Sequence, residues 1–278
     1  MKIGIVGLGL IGGSLGLDFR RLGHQVLGVA RRSETCDQAI AAGAVDQATT
    51  TLARLEAVEV VIICTPIAMI EPTVKEIAPH LAADAVITDV GSVKGAIAAA
   101  ATQHWPRFVG GHPMAGKSEA GLAAAEAHLF RDRAYVITPL PQTPADAVET
   151  VQTLATDLGA RVFTCDPTVH DRAVAWISHL PVMVSSSLIQ ACLHEPDEQV
   201  RYLAQQFASS GFRDTSRVGG GNPELGMMMA RYNQAEVLRS LQTYREELDH
   251  LIHQLQEKDW AAIEHTLTEN QAARPSFL

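Results

Sequence analysis

Gly7-Leu8-Gly9-Leu10-Ile11-Gly12 follows the apolar run Lys2–Val6 directly and opens a helical pattern, and no other feature of the chain restricts its fold as strongly. Strand, tight glycine turn and helix in immediate succession make the first half of a dinucleotide-binding βαβ unit. The first glycine permits the turn, the second lets the backbone approach a pyrophosphate, and the third lets helix pack closely on strand. A diphosphate would then lie at the positive end of the helix, against Gly9, Leu10, Ile11 and Gly12, where backbone N–H groups have no intrahelical acceptor.

Downstream, short β-branched runs alternate with helical windows through residue 165. The strand candidates are 2–6, 25–29, 58–64, 85–89, 108–110, 135–138 and 161–164. Nearly all are apolar throughout, as strands covered on both faces are. With helical patterns at 14–22 and 145–158 between them, the expected fold is an α/β, Rossmann-type, doubly wound sheet of mainly parallel strands. Past Asp166-Pro167 the strand signals stop. A boundary there divides a dinucleotide-binding domain, 1–165, from an all-helical substrate and dimerisation domain, 166–278, whose long helical pattern at 224–255 should break once or twice. So much apolar helix surface needs a cover. A second copy of the chain is the simplest one, hence a homodimer through the helical domain.

The end of the second strand selects the nicotinamide. An NAD site places a carboxylate there for the ribose hydroxyls, whereas an NADP site needs cations for the 2′-phosphate. Here the residues are Ala30-Arg31-Arg32-Ser33, with no carboxylate before Glu34. Two guanidinium groups and a hydroxyl are charge-assisted donors for a phosphate, so NADP is expected, in preference to reading both arginines as solvated turn residues. Cys64-Thr65-Pro66 ends a later strand where a loop would cover the cofactor.

A net charge of −9 argues against nucleic acid or an anionic membrane as partner, because the mean field repels both. Cys36, Cys64, Cys165 and Cys192 form no C-x-x-C pair, which suggests neither a disulfide framework nor a zinc site and fits a reducing, cytoplasmic location. No apolar run looks long enough to span a bilayer, and the N-terminus lacks the apolar core of a signal peptide. His250 and His253 are the only close histidine pair on a helical pattern, read as part of a solvated face, so no metal is expected.

Substrate in such sheets lies beyond the carboxyl ends of the strands. Two segments there carry chemistry: Asp89-Val90-Gly91-Ser92-Val93-Lys94 and Gly111-His112-Pro113-Met114-Ala115-Gly116. Together with the glycine fingerprint, Ser178-His179-Leu180-Pro181 and Phe212-Arg213-Asp214-Thr215-Ser216-Arg217, they follow the order seen in the prephenate/arogenate dehydrogenases. The chain resembles that family over essentially its whole length. The resemblance implies an oxidative decarboxylation in tyrosine biosynthesis, a small-molecule cyclohexadienol substrate, and His112 as the base for the ring hydroxyl, a role an imidazole suits near neutral pH. It implies that Ser92 hydrogen-bonds the same hydroxyl and helps orient His112; Ser92 could also simply cap the helix that follows. It adds Gly91 and Met114 to the cofactor site. It assigns a substrate carboxylate to Arg217, with His179, Asp214 and Arg213 nearby, although Arg213 and Asp214 could form a structural ion pair and His179 could be a core residue.

The chain departs from the family pattern at Val182, where many prephenate-using relatives have a second histidine, at Ser118, where many are acidic, and at Gly226, where many have tryptophan. These positions surround the part of the pocket that reads the substrate side chain. They favour arogenate over prephenate, with prephenate dehydrogenase or a dual cyclohexadienyl dehydrogenase as the alternative. A β-hydroxyacid dehydrogenase would carry a lysine early in the helical domain, and 169–180 has none. A non-enzymatic NADP-sensing dimer is the remaining alternative.

Overall fold

The computed structural model of the protein describes residues 1–117 and 119–277, so Ser118 lies outside the described residues. The chain runs β1 (Lys2–Val6), α1 (Leu10–Arg21), β2 (Gln25–Val29), α2 (Ser33–Ala41), β3 (Gln47–Thr49) and β4 (Val60–Ile63). It continues through α3 (Ile70–Ile77), β5 (Val86–Asp89), α4 (Gly95–His104), β6 (Phe108–Pro113), β7 (Ala134–Thr138), α5 (Ala145–Asp157) and β8 (Arg161–Thr164). The remainder is helical: α6 (Pro167–Val174), a π turn at Ala175–His179, α7 (Leu180–Leu193), α8 (Glu198–Phe207), α9 (Ser210–Ser216), α10 (Pro223–Tyr232), α11 (Gln234–Glu257) and α12 (Trp260–Ala273).

All eight strands join one sheet in the order β3-β2-β1-β4-β5-β6-β7-β8. Every pairing is parallel except β6 with β7. The order reverses between β1 and β4, which opens the crevice where doubly wound sheets take ligand. Side-chain alternation explains the layering. Along β4, Val60 and Ile62 enter the core cluster that holds Leu15 and Phe19 of α1 and Val151 of α5; Val61 and Ile63 enter the opposite cluster with Ile70 and Val74 of α3 and Ile97 of α4.

The sheet matches the fold read from the sequence; besides shifts of one or two residues at the ends of β4, β5 and β7, two differences matter. β3 went unanticipated, because Gln47-Ala48-Thr49 has no apolar run and is a strand only through its register with Leu27–Val29. β6 extends past Gly110 to Pro113, since its last four residues pair antiparallel with β7 and set His112 opposite Val136.

Contacts divide the chain into a unit of Met1–Val174 with Gly221–Asn233 and a unit of Ala175–Gly220 with Gln234–Leu278. The long helical pattern breaks once, at Asn233, whose side-chain amide donates to Asp171 O at 2.8 Å. Contrary to the sequence-based expectation, one helical run, Pro167–Leu193, is long and apolar enough by length and composition to cross a membrane. Its first turns carry buried His170 and Asp171, both hydrogen-bonded within the first unit.

Candidate active site

The glycine loop leaves β1 at Gly7, whose φ of +101° favours glycine and whose Cβ, if present, would lie 2.6 Å from Cys64 O. A Cβ on Gly12 would sit 2.0 Å from Gly7 O, so only glycine lets α1 start this close to the strand. A Cβ on Gly9, by contrast, would meet nothing within 4 Å. That opening faces the N-terminus of α1, which has no acidic residue in its first turn and no side-chain cap. On the loops after β4 and β5, Thr65 Oγ1 and Ser92 Oγ are buried without a hydrogen-bond partner among the described residues. A tight turn, an open cradle, an uncapped helix start and the waiting Thr65 hydroxyl fit a dinucleotide.

At the end of β2, Arg31, Arg32 and Ser33 are exposed, and Arg32 is the N-cap of α2. Ala30 is half-buried and bonds Thr49 O through its N–H. Met114 N bonds Ala134 O, which fastens the residue after Pro113 to β7. Burial and the Asp89 charge both raise the Cys64 thiol well above the ordinary range, so Cys64 is a neutral wall of the crevice.

Asp89, at the tip of β5, organises the centre. Its carboxylate accepts Gly91 N at 2.9 Å, Gly111 N at 3.1 Å and the ammonium of Lys94. Lys94 is fully buried and also donates to Gly111 O at 2.8 Å. Burial pushes this ammonium below the ordinary lysine range, and Asp89 opposes the shift. A buried ion pair is better tolerated when further hydrogen bonds surround it, as those to Gly91 N, Gly111 N and Gly111 O do here. Its effect is to grip both backbone groups of Gly111, the residue before His112.

His112 is 8% exposed near the carboxyl end of β6, the strand next to the one that carries Ser92 on its following loop. Its Nδ1 lies 2.8 Å from Nε2 of His170 on α6, and Nδ1 of His170 lies 2.8 Å from Asp171 Oδ1. Asp171 also accepts Lys94 N and Gly95 N, capping α4. Ser92 therefore does not cap that helix, and its Oγ is not bonded to His112.

The remaining sequence candidates belong to the second unit. His179 ends the π turn and is fully buried. A proline two residues on, Pro181, lacks the N–H that an α-helix would use there, and a π turn is one way the chain absorbs that loss. Arg213 Nε pairs with Asp214 Oδ1 at 3.2 Å, with both side chains more than two-thirds exposed (73% and 71%). Arg217 is exposed at the end of α9, and Ser216 beside it is buried.

Sequence reasoning missed Lys94, His170 and Asp171 as members of this site. Lys94 had a legible signal, since a lysine followed by the apolar Ala96-Ile97-Ala98 needs a counter-charge and Asp89 stands five residues before it. His170-Asp171 had none, because the contact with His112 spans 58 positions.

Residues 15–164 match the family described as "Prephenate dehydrogenase, nucleotide-binding domain", and residues 166–269 match "Prephenate dehydrogenase, dimerization domain". The prephenate dehydrogenase of Bacillus subtilis (strain 168) is 32% identical over 262 residues, covering 92% of this chain and 70% of that protein. Among solved structures, Synechocystis arogenate dehydrogenase is 49% identical with a TM-score of 0.91 and covers 100% of both chains. Prephenate dehydrogenase from A. aeolicus, in complex with hydroxyphenyl propionate and NAD+, is 26% identical with a TM-score of 0.95, covering 100% of this chain and 98% of that one.

Proposed function

The chain belongs to the prephenate dehydrogenase family, and from that premise we propose that it oxidises and decarboxylates arogenate to tyrosine with NADP. The observation that carries the reading is the setting of His112: a buried imidazole at the carboxyl end of β6, in the strand order that also brings the glycine loop and Ser92 to that edge.

The nicotinamide, when bound, supplies the hydride acceptor. His112 takes the ring hydroxyl proton as the carbinol carbon gives up a hydride, and with it two electrons. Ser92, with a buried hydroxyl awaiting a partner, is suited to hydrogen-bond the same oxygen. The bond to the ring carboxylate then breaks, and its electron pair enters the ring as carbon dioxide leaves. Aromatisation drives that step, and the proton held on His112 returns to the phenolic oxygen.

Two exposed guanidinium groups and a hydroxyl at the end of β2, with no carboxylate before Glu34, support NADP. The likeness to an arogenate dehydrogenase over its full length, with Val182 in place of a second histidine, supports the amino acid as substrate. Arg217 has no ion pair among the described residues, whereas Arg213 is engaged with Asp214, so Arg217 is the better clamp for a substrate carboxylate. His179, a buried polar side chain, is assigned to the substrate pocket as well.

A homodimer through the helical unit is supported by the dimerization-domain match and by exposed Ile177, Val200, Phe207 and Leu267. Steady-state rates with arogenate and prephenate, each with NAD and NADP, test the whole assignment. The expected outcome is the highest kcat/KM for arogenate with NADP. A preference for prephenate would reassign the substrate, and a preference for NAD the cofactor.

A further inference from the structure

His112 is packed against a second histidine, and the hydrogen bonds between them have only one consistent direction while both rings are neutral. An ionised carboxylate can only accept, so the 2.8 Å contact with Asp171 Oδ1 puts the His170 proton on Nδ1. His170 Nε2 is then a lone pair. The nitrogen 2.8 Å away, Nδ1 of His112, must be the donor of that pair. The proton of His112 thus sits on Nδ1, and Nε2 is left as its basic nitrogen.

The arrangement is rigid at each link. His170 and Asp171 are 2% and 6% exposed. Asp171 is anchored by the backbone N–H groups of Lys94 and Gly95, the N-cap and first residue of α4, at 2.7 and 2.8 Å. Capping that helix accounts for Asp171 alone. It does not account for the His170 ring, which meets His112 edge to face, centroids 5.1 Å apart, with its nitrogen on the hydrogen-bonding line.

We propose that His170, backed by Asp171, is a positioning residue that fixes the tautomer of His112 and steadies its imidazolium after the substrate proton arrives at Nε2. Once His112 is a cation, its Nδ1–H bond to His170 becomes charge-assisted, and the Asp171 carboxylate lies one ring further along the same line. Because both backing groups are buried, the line ends inside the protein. Its work is orientation and charge stabilisation, not export of the proton. The inference rests on His112 being the base, and its test separates the two claims.

Long-range 1H–15N spectra of histidine-labelled protein report which nitrogen of each ring carries the proton, and His112→Gln identifies the His112 signals among the 11 histidines. The expected wild-type spectrum has His112 protonated on Nδ1. A proton on Nε2 instead would overturn the proposal whatever the role of His112. In kinetics, His170→Phe keeps a ring but removes the acceptor, and should lower kcat by about 10–100-fold with KM and NADP affinity little changed. His170→Gln, whose amide oxygen can still accept from Nδ1, should recover most of that loss. Wild-type kcat in folded His170→Phe, with His112→Ala inactive, would sink this inference and leave the base assignment standing. Wild-type kcat in His112→Ala would sink the base assignment, while the spectrum would still report the tautomer. Should His170→Phe fail to fold, the wild-type spectrum and the His170→Gln rate still decide.

Discussion

Lys94 donates its ammonium to the carbonyl of Gly111 at 2.8 Å, so the residue before His112 is held by a charge that is itself wholly buried. Asp89 completes the grip by accepting Gly111 N and the same ammonium. The strand end that presents His112 is therefore fixed by an ion pair at the carboxyl end of β5.

Removing one member of a buried pair strands the other in a medium that cannot solvate it. Lys94→Met should accordingly lower the unfolding free energy by about 3–5 kcal/mol. The double variant Lys94→Met, Asp89→Asn should regain part of the loss, because a neutral amide can still accept Gly111 N. Urea denaturation of the two variants checks this. A Lys94→Met protein as stable as wild type would show that the pair does not hold the strand end.

At the end of β2 the expectation concerns selectivity. Each charge-assisted hydrogen bond is worth about 1.5–3 kcal/mol, so Arg31→Ala with Arg32→Ala should weaken NADP by about 100-fold or more while NAD is little affected. Fluorescence titration with each cofactor measures the difference. Equal losses for both would mean that the guanidinium groups do not read the 2′-phosphate.

How much of this was legible depends on where each signal lives. β1, β2 and β8 were readable to the residue because short runs with β-branched residues are bounded there: Gly7 follows β1, Gly23-His24 precedes β2, and Gly159 before β8 and Cys165-Asp166-Pro167 after it delimit the last. The strand reading stopped at Gly110, since glycine and proline usually end strands, but antiparallel pairing with β7 keeps Gly111, His112 and Pro113 extended and sets the position of His112. The nucleophile-free chemistry of the site was visible as a histidine after a strand. Its support was not. His170 and Asp171 sit in a short polar-looking stretch, and their meaning arises only when α6 packs against α4 and β6. Periodicity reports which face of an element is buried. It does not report which distant side chain that face will meet.

His112→Ala should cut kcat by about 10²–10⁴-fold, the usual contribution of a positioned base. NADP affinity should stay near wild type, because the glycine loop and the arginines at the end of β2 are untouched. Turnover and cofactor titration on the same preparation separate the two effects. Lost cofactor binding with unchanged turnover per bound cofactor would move His112 out of the chemical step.

Arg217 makes the last prediction. A guanidinium meets a carboxylate with two parallel N–H bonds, and an ammonium on a shorter stem cannot reproduce that fork. Arg217→Ala should therefore raise KM for arogenate by about 10–100-fold, within the range of a lost charge-assisted hydrogen bond, and change kcat less. Arg217→Lys should fall between the two. Arg213→Ala is the internal control: that side chain is 73% exposed and already paired with Asp214, so it should move KM little. If Arg213→Ala raises KM and Arg217→Ala does not, the carboxylate clamp belongs to Arg213, and the Arg213–Asp214 pair must open when substrate binds.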